Sequence, residues 1–364
     1  MDYKSRQKRL REKLATTRLD ALLVSHLPNI RYLCGFTGSA GFLLVGPAGS
    51  VFFTDVRYAT QSREEVEGAR VVVARGSPLV AAGQWIAAER KTARSQWTVG
   101  IEAEHLTVAA RKQLTDVLPA RVRVRAGSPL VERLRMIKDA EEIERIRAAV
   151  RLGAKLFDRA LEVIKPGVKE SEVAAEMEYA ARREGAEAMS FPSIIASGPR
   201  SALPHGRASE QAIRPGGFVV CDFGVILRGY CSDQTRTVWV GAVSDEARRV
   251  YEAVRQAQLA AIEAVRPGVK VGEVDGAARK VLQRAGLGRY FAHSTGHGVG
   301  LEIHEAPRVT ASGKQEALQP GMVITIEPGA YFPGKWGVRI EDMVVVTSSG
   351  REVLTPTSKE LIAI

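Results

Sequence analysis

Short apolar or alternating runs recur through the first third of the chain, at 21–25, 42–45, 51–55, 71–74, 98–103 and 121–126, and each reads as a strand. Between them, helical periodicity predicts helices reaching to about Thr17, beginning at Thr60, beginning at Leu79, and lying ahead of the last strand. Strands alternating with helices predict a mixed sheet with helical flanks. The pattern then changes. Asp139 with Glu142 is a helix start signal, and Ile143, Ile146, Val150, Phe157 and Leu161 form one apolar stripe of a long helix. Farther on, 218–225 and 230–240 read as a hairpin closed by a two-residue turn at Leu227 and Arg228. In that register Asp222 lies directly across from Asp233, with Cβ atoms about 5 Å apart.

The second part of the chain repeats itself. Ile164-Lys165-Pro166-Gly167-Val168-Lys169 recurs as Val265-Arg266-Pro267-Gly268-Val269-Lys270, and Glu172-Val173 and Gly185 recur at the same offset as Glu273-Val274 and Gly286. Pro215-Gly216 answers to Pro320-Gly321, so Asp222 maps onto Glu327, and Asp233 maps loosely onto Glu341. From about Lys155 onward the chain therefore predicts two copies of one helix-plus-hairpin unit around a pseudo-twofold axis. The expected domains are 1–131 and 132–364.

Each copy contributes one acid from its first strand and one from its second. Bare carboxylates that close repel, and either a proton or a cation must relieve them. Two divalent ions would nearly cancel the charge of Asp222, Asp233, Glu327 and Glu341, as a low-dielectric site demands. His297, in HSTGHGVG, has no counterpart in the other copy and belongs to one ion only. These five residues are the expected metal ligands.

The pieces FPSIIASGPRSALPHG, CDFG, SDQTRT, HSTGHGVGLEIHE, TIEPG and GVRIED, in this order, together with NIRYLCGFTGSAGFLLV and TDVRY, resemble the pita-bread metallopeptidases. Within that family the resemblance is to the proline-specific branch of aminopeptidase P and prolidase, and it spans nearly the whole chain. It implies an α/β (α+β) fold, with a creatinase-like mixed-sheet domain followed by a pseudo-twofold pita-bread catalytic domain. By the resemblance Asp222 and Asp233 hold the second metal, His297 and Glu327 complete the first, and Asp233 and Glu341 bridge both. His205, His293 and His304 match positions lining the substrate cleft, with His304 suited to donate to a developing oxyanion.

Such a centre is expected to hydrolyse an amide, because paired ions activate water and polarise a carbonyl. Glu327 is the expected proton carrier, since a prolyl nitrogen has no hydrogen and leaves poorly until protonated. Arg339 lies two residues before Glu341 and so faces the cleft with it, as a salt-bridge partner or a substrate contact. Arg308 is a candidate for the substrate C-terminus, and Phe191 and Ile303 are candidates for the apolar wall against the proline ring. The reaction expected is removal of a residue ahead of proline from peptides by a Xaa-Pro aminopeptidase. The alternative is a Xaa-Pro dipeptidase, with a catalytically silent binding protein on the same fold as a third reading. Oxygen-rich ligation favours two Mn²⁺, with Co²⁺ or Zn²⁺ as substitutes. By resemblance the first domain shapes the cleft and a homodimer, and Asp55, Arg57 and Tyr58 either approach a neighbouring site or brace their own turn.

Composition narrows the remaining classes. At 364 residues, 45% hydrophobic and 26% charged, the chain can bury a sizeable core. His304-Glu305 begins a zinc-protease HExxH pattern that fails at Arg308, and the alternating glycines of 296–300 lack the spacing and lysine of a phosphate loop. Three cysteines without a CxxC give no disulfide framework, and Cys221 and Cys231 read as core thiols. The net charge of +11 is scattered among acids rather than clustered, so proline-containing peptides rather than nucleic acid are the expected partners. No run is apolar enough for a signal peptide or a membrane span, which makes the cytoplasm the expected compartment. His26 and His105 read as structural.

Overall fold

In the computed structural model, which describes residues 1–90, 95–313 and 315–364, the chain divides into two compact units, Met1–Arg135 and Met136–Ile364. The first is built on a six-stranded mixed sheet whose strands run in the order Arg70–Ala74, Gly49–Asp55, Phe42–Gly46, Ala21–Val24, Trp97–Glu102 and Val122–Gly127. The three central strands pair antiparallel and the outer ones parallel. All six lie where the apolar runs set them. Helices Pro78–Glu89 and Val108–Val117 cover one face over a core that includes Leu23, Phe53, Ile86 and Val99. The helix expected from Thr60 is a single short one, Gln61–Glu65, and helices Leu27–Cys34 and Leu130–Arg135 carry too few turns for periodicity to reveal.

Two expectations for this unit resolve into local bracing. Arg57 donates to both carboxylate oxygens of Asp55, and the Tyr58 hydroxyl bonds to that of Ser39. The rings of His26 and His105 stack with centroids 3.6 Å apart.

The second unit begins with the long helix Ala140–Val163, started by the predicted capping box of Asp139 and Glu142. That helix and Glu170–Arg183 pack on a three-stranded sheet of Ile194–Ser197, Gly217–Phe223 and Gln234–Val240. The second copy uses Asp245–Ala264 and Val271–Arg284 against a sheet that includes Gly296–Gly298, Val323–Ile326 and Asp342–Val346. The repeat is visible in detail. Capping boxes begin at Lys169 and Lys270, and Gly216 and Gly321 both take positive φ ahead of the strands that carry Asp222 and lead to Glu327. Two apolar cores form, one within the first half and one within the second that also takes in Phe218 and Trp239 from the first half's strands. Among the described residues no helix is long and apolar enough to cross a membrane.

The hairpin register differs from expectation by two residues. Asp222 pairs with Thr235, not with Asp233, and the turn is Arg228-Gly229 rather than Leu227-Arg228. A two-residue turn of this kind needs positive φ at both central positions. Gly229 supplies it freely at φ 82°, so the turn slides one residue to include it, and Arg228 accepts φ 50°. A shift of two preserves each side chain's face, so Asp233 still points where it was expected to point.

Gly224, at the break between the strands Gly217–Phe223 and Val225–Leu227, lies against Ser232, and a Cβ there would sit 1.8 Å from the Ser232 carbonyl oxygen. Because backbone rather than a flexible side chain fills that space, Gly224→Ala is expected to cost about 3 kcal/mol. It should also displace Asp233; thermal melts with metal counting on the same sample check both effects, and a variant as stable as the parent would refute the close approach.

Candidate metal centre

Asp222 and Asp233 come from the first half of the second unit, and Glu327 and Glu341 come from the second half. The second pair sits between two ladder segments, Ile326 with Asp342 and Gly329 with Arg339, that keep one register, so Glu327 and Glu341 face each other across it. His297 lies in the strand Gly296–Gly298, where the alternating glycines have a packing role. A Cβ on Gly296 would meet the Thr325 carbonyl at 1.9 Å and one on Gly298 that of Ala306 at 2.2 Å. Their absence lets the neighbouring strands close in on the histidine.

Ligand atoms of Asp233, His297 and Glu341 lie within 4.8 Å of one another, and all three residues are buried. Glu327 adjoins them, with Oε1 3.6 Å from His297 Nε2, while Asp233 Oδ2 is 3.5 Å from the same nitrogen. His297 Nδ1 faces the carbonyl oxygen of Gly298 at 3.1 Å, so it carries the hydrogen and leaves the Nε2 lone pair facing the acids. Burial lowers this imidazole to about 4 and keeps it neutral.

The acids themselves are under strain from charge. Burial raises Asp233 and Glu341 well above the usual carboxylate range, and their neighbouring acids raise them further. Burial pushes Glu327 up to about 7, against the field of Arg339. Asp222 is raised by burial too, although Arg339 Nη2 donates to its Oδ2 at 2.6 Å. Asp222 Oδ1, Asp233 Oδ1 and Glu341 Oε1 are buried with no hydrogen-bond donor among the described residues. Orphaned carboxylate oxygens, mutual repulsion and a neutral histidine are what hard divalent cations satisfy, so the residues fit a metal centre.

All twelve residues expected as metal ligands or cleft contacts line one cleft of about 930 Å³. His205 and His304 stand exposed on its walls, the His304 ring lying edge-on to His297 at 4.4 Å. Phe191 and Ile303, with Pro192 and Ile194, supply apolar surface, and Arg308 is exposed with no ion-pair partner among the described residues. His293 and Arg339 are already engaged. His293 Nδ1 donates to Ser294 O at 2.8 Å, and Nε2 accepts from the Tyr331 hydroxyl at 2.8 Å. The Tyr331 oxygen accepts in turn from Arg339 Nη1 at 2.7 Å. Arg339 further donates to Thr235 Oγ1 and Pro204 O. Of its two expected roles, that of salt-bridge partner to a ligand acid is the one its contacts occupy.

Sequence reasoning missed Thr235, whose hydroxyl donates to Glu341 Oε2 at 2.7 Å, Tyr331 and Arg207. Two-residue spacing from Asp233 would have found Thr235; nothing local marks Tyr331. The three cysteines are buried, and burial raises each thiol to about 12.

The model of the Creatinase/Prolidase N-terminal domain matches residues 6–137, and that of metallopeptidase family M24 matches residues 144–348. A Xaa-Pro dipeptidase of Pyrococcus horikoshii is 37% identical over 358 residues, 98% of each chain. Among solved structures, a Xaa-Pro dipeptidase from Bacillus anthracis is 40% identical with TM-score 0.94 over the whole of both chains. An X-Pro aminopeptidase from Thermotoga maritima is 34% identical with TM-score 0.88, over 99% of this chain and 100% of that one.

Proposed function

The chain belongs to metallopeptidase family M24, and from that premise we propose that it is a metal-dependent Xaa-Pro dipeptidase, a prolidase. The observation that carries the reading is the convergence of Asp222, Asp233, His297, Glu327 and Glu341, with three orphaned carboxylate oxygens, at the floor of one cleft. The aminopeptidase expected from the sequence is the weaker reading, because relatives matched over nearly the whole chain at 37% and 40% identity carry the dipeptidase name. A chain with the whole ligand set also gives no reason to prefer a silent binding protein.

The resident ions are two Mn²⁺, replaceable by Co²⁺ or Zn²⁺, held by those five side chains; bound there, they would activate water and polarise the scissile carbonyl. The protein supplies the rest. Glu327 accepts a proton at its carboxylate and returns it to the prolyl nitrogen as the C–N bond breaks. Thr235 fixes one oxygen of Glu341, and Arg339 fixes one oxygen of Asp222, so each acid has a defined oxygen left for the ions. His304, lowered by its partial enclosure in the cleft wall and by Arg308, remains a neutral N–H donor for the carbonyl oxygen where negative charge develops, and His205 stands on the same cleft wall. Phe191 and Ile303 flank the proline ring.

Arg308 receives the free carboxylate of a dipeptide. Its removal in Arg308→Ala is expected to raise KM for a Xaa-Pro dipeptide by roughly 10- to 100-fold with a smaller change in kcat, the worth of one charge-assisted pair. The experiment that tests the proposed function compares Xaa-Pro dipeptides with Xaa-Pro tripeptides on the manganese-loaded parent. Much faster dipeptide cleavage is expected; equal rates would restore the aminopeptidase reading.

A further inference from the structure

Thr235 and Glu341 are each followed by a charged residue, and alternation along a strand sends that residue to the face away from the cleft. On the cleft side Thr235 and Glu341 are joined by their side chains; on the other, Arg236 Nη2 donates to Asp342 Oδ1 at 2.7 Å. Arg236 is 1% exposed and Asp342 0%. Every N–H of the guanidinium is used. Nη1 donates to the carbonyl oxygens of Thr235 at 2.8 Å and Glu341 at 2.5 Å, Nη2 also to that of Thr357 at 2.8 Å, and Nε to that of Ser358 at 2.8 Å. Asp342 Oδ2 accepts from Gln258 Nε2 at 2.8 Å and from Lys359 Nζ at 2.6 Å.

This stitch crosses the boundary between the two halves. Thr235 and Arg236 belong to the strand Gln234–Val240 of the first, and Asp342 to the strand Asp342–Val346 of the second. The Glu341 N–H donates to Thr235 O at 3.1 Å, and the fork of Arg236 holds the carbonyls of the same two residues. Since Asp222 and Asp233 ride on one half and Glu327 and Glu341 on the other, the distance between the acid pairs is set here. Their repulsion pushes the halves apart, and a planar fork bonded to both backbones resists it. Lysine, a point charge with three donors and no fixed plane, could not hold both carbonyls, Asp342 and the tail together.

We propose that Arg236, with Asp342 as its counter-charge, is the positioning residue that fixes the separation of the two halves of the metal cage and so its affinity for the second ion. This rests on the dinuclear metal reading above. The test uses the full chain, chelated and then titrated with Co²⁺ by calorimetry and visible absorption, comparing the parent with Arg236→Lys, Asp342→Asn and the milder Lys359→Met.

The parent takes up two ions. In Arg236→Lys and Asp342→Asn the first binds nearly as before and the second at least about tenfold more weakly, with an altered cobalt spectrum. Second-ion affinity and spectrum unchanged in both, in protein that melts like the parent, would overturn the proposal. Should those two variants fail to fold, Lys359→Met decides: weaker second-ion binding supports the stitch, and parental binding refutes it. A parent that itself binds fewer than two ions would instead bring down the metal reading beneath it.

Discussion

Glu327→Gln is expected to lower kcat/KM for a Xaa-Pro dipeptide by about a thousandfold, within the range that positioned proton transfer contributes. Glutamine keeps the length and one oxygen of glutamate, and loses the site that accepts a proton. The prolyl nitrogen then lacks its donor, and breaking the bond would expel an unprotonated amide. Without metal, burial pushes Glu327 up to about 7, and a cation bound beside it would lower that value. Kinetics alone would not distinguish this from a lost ligand, so metal content must be counted on the same sample. Two bound ions with the rate lost is the expected combination; a rate within tenfold of the parent would remove Glu327 from the proton's path.

The second large effect is in stability. Chelated protein is expected to become less stable as pH rises from about 4, where free carboxylates titrate, to about 7, the value reached by Glu327. The sign follows from linkage. Burial and mutual repulsion raise Asp222, Asp233, Glu327 and Glu341, so over that window these four acids hold more protons folded than unfolded, while His293 and His297, lowered to about 4, act the other way but are fewer. Stability present at low pH is then lost as pH climbs. Added Mn²⁺ should act the other way, because ions bind the deprotonated ligands, contributing about 4 kcal/mol per site at a thousandfold excess over Kd. Melting curves with and without manganese at pH 5 and pH 7.5 therefore diverge. Curves that stay parallel would mean that the four acids do not share a cation.

The parts of this protein legible in its sequence are those that local chemistry dictates. Strands of the first unit follow from apolar runs, the long helix from the capping pair Asp139 and Glu142, and the two-half design from a repeat that Gly216 and Gly321 still mark with matching backbone. The acids and His297 could be singled out because each sits at a repeated or unusual place. What stayed hidden depends on contacts between distant segments. The hairpin register turned on whether Arg228 or Gly229 took the second turn position, a choice made by φ and not by hydrophobic pattern. Tyr331, between His293 and Arg339, gathers its partners from 8 and 38 residues away, and Arg236 meets Asp342 across 106. Whether dipeptides or longer peptides are cleaved would depend on how the cleft closes beyond the proline, which no motif in one chain encodes.

A cage of five side chains that takes two ions to cut the bond ahead of proline is the central proposal. Manganese titrated into chelated protein, with bound metal counted by elemental analysis while hydrolysis of a Xaa-Pro dipeptide is followed, tests it most directly. Two ions per chain, with hydrolysis returning as they bind, is the predicted result. Fewer than two ions, or hydrolysis that survives chelation, would contradict it.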